Sequence, residues 1–104
     1  MSGLAIYDQD KLKPEARVAA LSAANDVLAR EGVSAIEAVD AATVDLLLAE
    51  GLEPDERTED HFREHGASLR ALAAYEAAKG AASTEIRRLD PDNAGFAILF
   101  SAAS

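Results

Sequence analysis

The 104-residue chain contains no cysteine. Disulfides, thiolate ligands and thiol nucleophiles are therefore excluded, and nothing constrains the redox compartment. Aromatic residues make up only 5% of the chain, which leaves no platform for stacking bases. Basic residues are scarce as well, ten against nineteen acids for a net charge of −9. Arg17, Arg30, Arg57, Arg63, Arg70 and Lys79 are scattered, and only Lys11/Lys13 and Arg87/Arg88 lie close together. A chain so charged repels phosphate backbones and anionic lipid surfaces, so neither nucleic acid nor membrane is an expected partner. Met1-Ser2-Gly3-Leu4 has no basic leader region, and no apolar run reaches membrane-spanning length, which together read as a soluble cytoplasmic protein. No serine–histidine–acid order and no glycine-rich phosphate loop is present, so the expectation is a non-enzyme without a cofactor.

What the chain does have is alanine and leucine, at 49% hydrophobic overall, punctuated by Gly32, Gly51 and Gly80 as helix stops. Its length suits one domain, residues 1–104, with a single small core. Pro14 opens the first helix, where its missing N–H and fixed φ do no harm. Val18, Leu21, Asn25 and Leu28 follow as a stripe. An amide among aliphatics either fixes the register of a helix pair, or caps a neighbouring carbonyl or sits at a partly exposed boundary. Gly32 ends this helix as a left-handed residue, letting Val33 fold back on Leu28. Ser34-Ala35-Ile36-Glu37 is a capping box for the second helix, whose expected buried stripe is Ile36, Val39, Thr43 and Leu47, widened by Val44, Leu46 and Leu48. The joint between these two helices is so short that they are expected to be neighbours.

Thr58, Glu59 and Asp60 cap a third helix with Phe62, Leu69, Leu72 and Tyr75 on its apolar side and Gly66 as a weak point within it. Past Gly80 the pattern fits either a short fourth helix or a continuation. Asp90-Pro91-Asp92-Asn93-Ala94-Gly95 is a turn cluster. Phe96-Ala97-Ile98-Leu99-Phe100 is the most apolar run, uncharged and of high β-propensity, and Leu4-Ala5-Ile6-Tyr7 is its natural partner for strand pairing, docking into the helix groove being the alternative.

Four short motifs carry chemical suggestions. His61-Phe62-Arg63-Glu64-His65 resembles the H-x-x-E-H element of inverzincin metallopeptidases, which implies His61 and His65 as zinc ligands and Glu64 as the base. The likeness spans five residues, and those enzymes need a further distant ligand in a deep cleft. His61, Arg63 and Gly66 follow the order, though not the H-x-x-K-G spacing, of histidine phosphotransfer domains, which would make His61 the phosphorylated residue. Leu28-Ala29-Arg30-Glu31-Gly32-Val33-Ser34 resembles the helix–turn–helix of bacterial repressors. There the next helix should offer basic or amide side chains, whereas this one brings Glu37 and Asp40. Asp90, Asp92 and Gly95 match the opening of an EF-hand loop, but Ala94 and Ser101 stand where a ligand and the bidentate glutamate belong, so a tight turn is expected.

The residues thus point to an all-α domain, a small bundle of three or four helices with short docked or strand-paired terminal segments. The expected architecture is an antiparallel pair with one long helix across it. The expected function is that of a non-enzymatic assembly, adaptor or regulatory module acting through protein–protein contacts and self-association, with Leu69, Leu72, Tyr75, Phe96, Ile98 and Phe100 as its interaction residues. A homo-oligomer is expected because a small alanine-rich bundle leaves apolar surface uncovered. The alternative is a histidine-centred site on the third helix, binding metal through His61, Glu64 and His65 or carrying phosphate.

Overall fold

The computed structural model describes residues 3–6, 11–53, 56–94 and 100–103. Strand β1 (Gly3–Ile6) is followed by α1 (Pro14–Glu31), α2 (Ala35–Gly51), a short α3 (Glu59–Glu64), α4 (Leu69–Leu89), a 3-10 turn (Pro91–Asn93) and β2 (Phe100–Ala103). The expected helical bundle is present. So is the expected pairing of the two ends, as an antiparallel two-stranded sheet that sets Gly3 opposite Ala103 and Ile6 opposite Phe100. Phe96 and Ile98 lie outside the described residues.

Gly32 and Gly66 act alike. Each has positive φ, +66° and +74°, a conformation that glycine adopts without the Cβ penalty. After α1, Gly32 N–H donates to the Ala29 carbonyl and Val33 N–H to that of Leu28. After α3, Gly66 N–H donates to Arg63 and Ala67 N–H to Phe62. Both are Schellman ends, which satisfy carbonyls the helix would otherwise leave bare. The single third helix expected with Gly66 inside it is therefore two helices, because the Ser68 hydroxyl also accepts from Ala71 N–H at 3.1 Å and starts α4 afresh. Gly80, by contrast, stops nothing: α4 runs through it for 21 residues. Gly51 is merely the last residue of α2, whose end is capped at Leu52 in extended conformation.

The capping box of α2 is half of what its letters suggest. Ser34 Oγ accepts from Glu37 N–H at 3.1 Å. The Glu37 carboxylate in turn accepts from the Ser34 hydroxyl, not from its backbone N–H.

The main packing is α1 against α4, not α1 against α2 as the short joint suggested. They are antiparallel, since the Arg70 guanidinium at the start of α4 donates to the Glu31 carbonyl at the end of α1, while Lys13 N–H at the start of α1 donates to Asp90 beyond α4. Between these clasps runs a seam of alanine: Ala16, Ala20 and Ala24 on α1 face Ala71, Ala74, Ala78 and Ala82 on α4, all buried. An alanine methyl contributes roughly 0.8 kcal/mol on burial, far less than a leucine. What it permits is close approach of the two backbones, with dispersion contacts along their whole length. Helix α2 lies on α4 and β2 through Ala35, Ala38 and Ala41. At its far end the half-buried Asp45–Arg57 ion pair, 2.8 Å, ties the following linker back to the helix.

Small residues displace part of the stripes expected from hydropathy. Val18 is 68% exposed, Ile36 57% and Leu47 60%. On α2 the alanine face turned inward together with Val44, leaving Ile36, Leu46 and Leu47 outward; on α1 Val27 and Leu28 are buried beside the alanines and Leu21 packs against the core, with Val18 outward.

The larger apolar residues of the core cluster at the sheet, where Leu4, Ile6 and Phe100 are buried against Leu28, Tyr75 and Ile86. Phe100 meets Tyr75 edge to face, with centroids 6.0 Å apart and planes at 87°, a favoured aromatic geometry. Burial pushes the Tyr75 hydroxyl above its ordinary pKa, with a backbone hydrogen bond at Phe100 opposing it. Asn25 proves to be neither a helix-pair register residue nor only a carbonyl cap. Its Oδ1 accepts from Leu4 N–H at 2.8 Å while its amide donates to the Leu21 carbonyl at 2.9 Å. It thereby occupies the edge of β1 that β2 does not pair, which removes a free strand edge.

Candidate functional site

The histidine motif is split by the fold. His61 lies in the first turn of α3, where its Nδ1 accepts from Thr58 N–H at 3.3 Å, the place a glutamate takes in an ordinary capping box. His65 is the residue at which α3 ends, so H-x-x-E-H does not lie on one continuous helix. Glu64 and His65 are both exposed. Among the described residues no three His, Asp or Glu side chains come together in an arrangement that would hold a metal ion.

The turn after α4 is built around a buried carboxylate. Asp90 is 1% exposed, and its Oδ2 accepts from Lys13 N–H at 3.0 Å while the Asn93 amide reaches both its oxygens at 3.1 Å. The Lys13 backbone N–H is the main reason its pKa is lowered. Burial acts in the opposite sense, and the Asn93 amide and the Lys13 charge reinforce the lowering. Its oxygens are committed to the fold, as expected of a structural turn.

Of the residues expected to mediate interactions, Phe96 and Ile98 lie outside the described residues, Tyr75 and Phe100 are buried, Leu72 is partly buried against the core and Leu69 is at the surface. The exposed apolar surface lies elsewhere. On α2, Ile36, Val39, Thr43 and Leu46 recur at 3-4-3 spacing with Leu47 beside them, the arrangement that forms the seam of a helix pair. Leu46 is the most exposed of the large apolar residues, at 70%. At about 100° per residue, Ile36, Thr43 and Leu47 fall within about 20° of one line along the helix. A helix apolar on both faces is one that is covered on both faces; here, among the described residues, the inner face is the one with a cover.

This surface is edged with negative charge. Helix α2 contains Glu37, Asp40, Asp45 and Glu50 and no basic residue. Asp45 is taken by Arg57, whereas Glu37, Asp40 and Glu50 are exposed. Next to Glu37 and Asp40 the α3–α4 turn leaves a cleft of about 270 Å³, completed by Gly66, Ala67, Ser68 and Ala71. The left-handed Gly66 and the cap Ser68, whose local role is to restart the helix, thus also form the wall opposite the two carboxylates. Nothing in this arrangement pairs a nucleophile with a base. Its physical capacity is to bury an apolar side-chain row and to attract a cation beside it.

The capping box at residues 34–37 is legible in the sequence, but the helix end at Gly66 and the restart at Ser68 are not, nor is the use of either as the border of a surface. The signal that marks it, a helix with large aliphatics opposite a row of alanines, is present in the sequence of α2. Comparison with known proteins adds nothing to this picture, since no family model, no curated protein and no solved structure matches the chain.

Proposed function

We propose that the protein is a non-enzymatic adaptor or assembly module whose docking surface is the outer face of α2. The observation that carries this reading is the exposure of Ile36, Leu46 and Leu47 on the outer side of α2, at 57%, 70% and 60%, in a chain that builds its helix seams from alanine. Scattered surface leucines need no explanation. A contiguous row at seam spacing does, because it costs solubility and adds nothing to the packing of the single chain. What docks there is another polypeptide, whether a different protein or a second copy.

Leu46→Ser together with Leu47→Ser tests it. Exposed positions away from caps and cores alter stability by no more than about 0.5 kcal/mol each, so the double variant is expected to keep its melting temperature within about 5 °C. It is also expected to lose any association with itself or with helical peptides that the wild-type chain shows. A variant that unfolds places these leucines in the core, and one that associates as before removes α2 from the interface; either result overturns the reading.

A further inference from the structure

Resting on that docking surface, we infer that its occupant is a cationic amphipathic helix from another protein rather than a second copy of this chain. Three observations lead there. First, Ile36, Thr43 and Leu46, with the half-buried Val39 between them, recur at the 3-4-3 spacing that receives the apolar stripe of another helix, and Leu47 stands beside them. Second, its borders are of one sign: Asp40 and Glu50 lie close beside the row, Glu37 farther out next to Asp40, all exposed, and α2 contributes no cation. Third, the cleft of about 270 Å³ at Glu37 and Asp40 is open beside the row. It offers carboxylate oxygens to a lysine or arginine side chain that projects from the flank of the docked stripe.

A second copy fits these features poorly. Placing two α2 faces together, in parallel or antiparallel, sets acidic borders against acidic borders, with a net charge of −9 on each chain. Like charges across an interface select against that pairing, whereas a partner with basic borders turns the same residues into attractions that also speed encounter. The small residues Gly66, Ala67 and Ala71 around the cleft contribute no competing cation. The one neighbouring guanidinium with a described carboxylate partner on α2, that of Arg57, is held at Asp45.

The test uses the full chain and synthetic helical peptides followed by fluorescence anisotropy. One peptide carries leucines at i, i+3, i+7 and i+10 with lysine and arginine on the flanks, a second has glutamate in place of every cation, and a third is a scramble of the first with no apolar stripe. The first peptide is expected to bind, and the second and third to bind at least about tenfold more weakly. Glu37→Gln with Asp40→Asn is expected to weaken binding of the first about five- to tenfold, the sum of two partly screened charge pairs, and added salt to weaken it further. Leu46→Ser with Leu47→Ser, which leaves the net charge untouched, is expected to abolish it.

Equal binding of the cationic and anionic peptides, equal binding of the scramble, or indifference to the Glu37 and Asp40 changes overturns the inference. Sedimentation equilibrium separates its failure from that of the docking surface itself. If no peptide binds but the chain self-associates and the two leucine substitutions render it monomeric, the occupant is a second copy and the surface stands. If neither peptide binding nor self-association depends on Leu46 and Leu47, both fall.

Discussion

Lys13 and Asp90, 77 positions apart in the chain, share a 3.0 Å hydrogen bond from the Lys13 backbone N–H to the Asp90 carboxylate. One side chain thus serves the start of α1, the end of α4 and the turn that follows. Lys13 has no side-chain cap of its own for α1, so the donor that local sequence would normally satisfy is satisfied from across the fold.

Asp90→Ala removes the acceptor used by Lys13 N–H and by the Asn93 amide. It is expected to lower the melting temperature by at least about 4 °C in a domain of this size, measured by circular dichroism. No change would mean that water replaces the carboxylate without loss.

The same residue sets a pH dependence. Its folded pKa lies below the ordinary carboxylate value of about 3.9. Its contribution is therefore complete above that value and is lost as the pH falls toward and through the depressed folded one. The stability difference between wild type and Asp90→Ala should be constant near neutrality and shrink on acidification below about pH 4. A difference that grows in acid has the wrong sign and refutes the assignment.

Asn25→Ala leaves Leu4 N–H without its partner, at an expected cost of about 1–3 kcal/mol in urea denaturation, with amide exchange in β1 faster than in α1. Gly3→Ala tests the same contact from the other side. A Cβ at Gly3 would stand 3.2 Å from Asn25 Oδ1, so the side chain must yield by a few tenths of an ångström, and a milder loss is expected.

Glycines 66 and 80 should respond in opposite directions. Gly66→Ala forces a side chain into φ +74° and is expected to destabilise by about 1–2 kcal/mol. Gly80→Ala lies in the interior of α4 with nothing within 4 Å of the added Cβ, and is expected to stabilise by about 0.8–1 kcal/mol. Chemical denaturation of the two variants measures both, and a shared sign would contradict the helix boundaries.

Ala20→Leu and Ala78→Leu place three extra carbons at fully buried points in the α1–α4 seam. Overpacking of this kind is expected to cost about 1–3 kcal/mol or more. Denaturation curves that match wild type would show that the helices do not meet through alanine.

Much of this fold was legible in the residues themselves. Pro14, the left-handed Gly32, the Ser34 cap and the Thr58 start are local devices, and local devices survive whatever the rest of the chain does. That the two ends pair as strands was legible too, although the C-terminal strand, Phe100–Ala103, shares only Phe100 with the apolar run that suggested it. What hydropathy could not decide was which face of α2 turns inward. A scale ranks Ile36 and Leu47 above Ala38 and Ala41, but burial goes to whichever face lets backbones approach most closely, and that depends on the partner helix. The α1–α4 pairing was hidden for a related reason: its clasps, Arg70 to Glu31 and Lys13 to Asp90, join residues remote in sequence. Gly80 misled because a glycine's letter is the same whether φ is positive or helical. The exposed row on α2 followed from the first error, for the stripe expected inside is the one found outside.

The pairing of Gly3 with Ala103 also orders events in time. Bringing together two segments about a hundred residues apart carries a length-dependent entropy on the order of 4 kcal/mol, more than a pair of four-residue strands returns in isolation. Once α1 and α4 are side by side and Asp90 has taken hold of Lys13, the stretch left to close is only about twenty residues, and over a kilocalorie of that penalty is gone. The sheet is thus expected to form after the helices dock and to open before they part, which amide exchange faster in β1 and β2 than in α1 and α4 would show. The two chain ends can come apart while the alanine-packed helices persist.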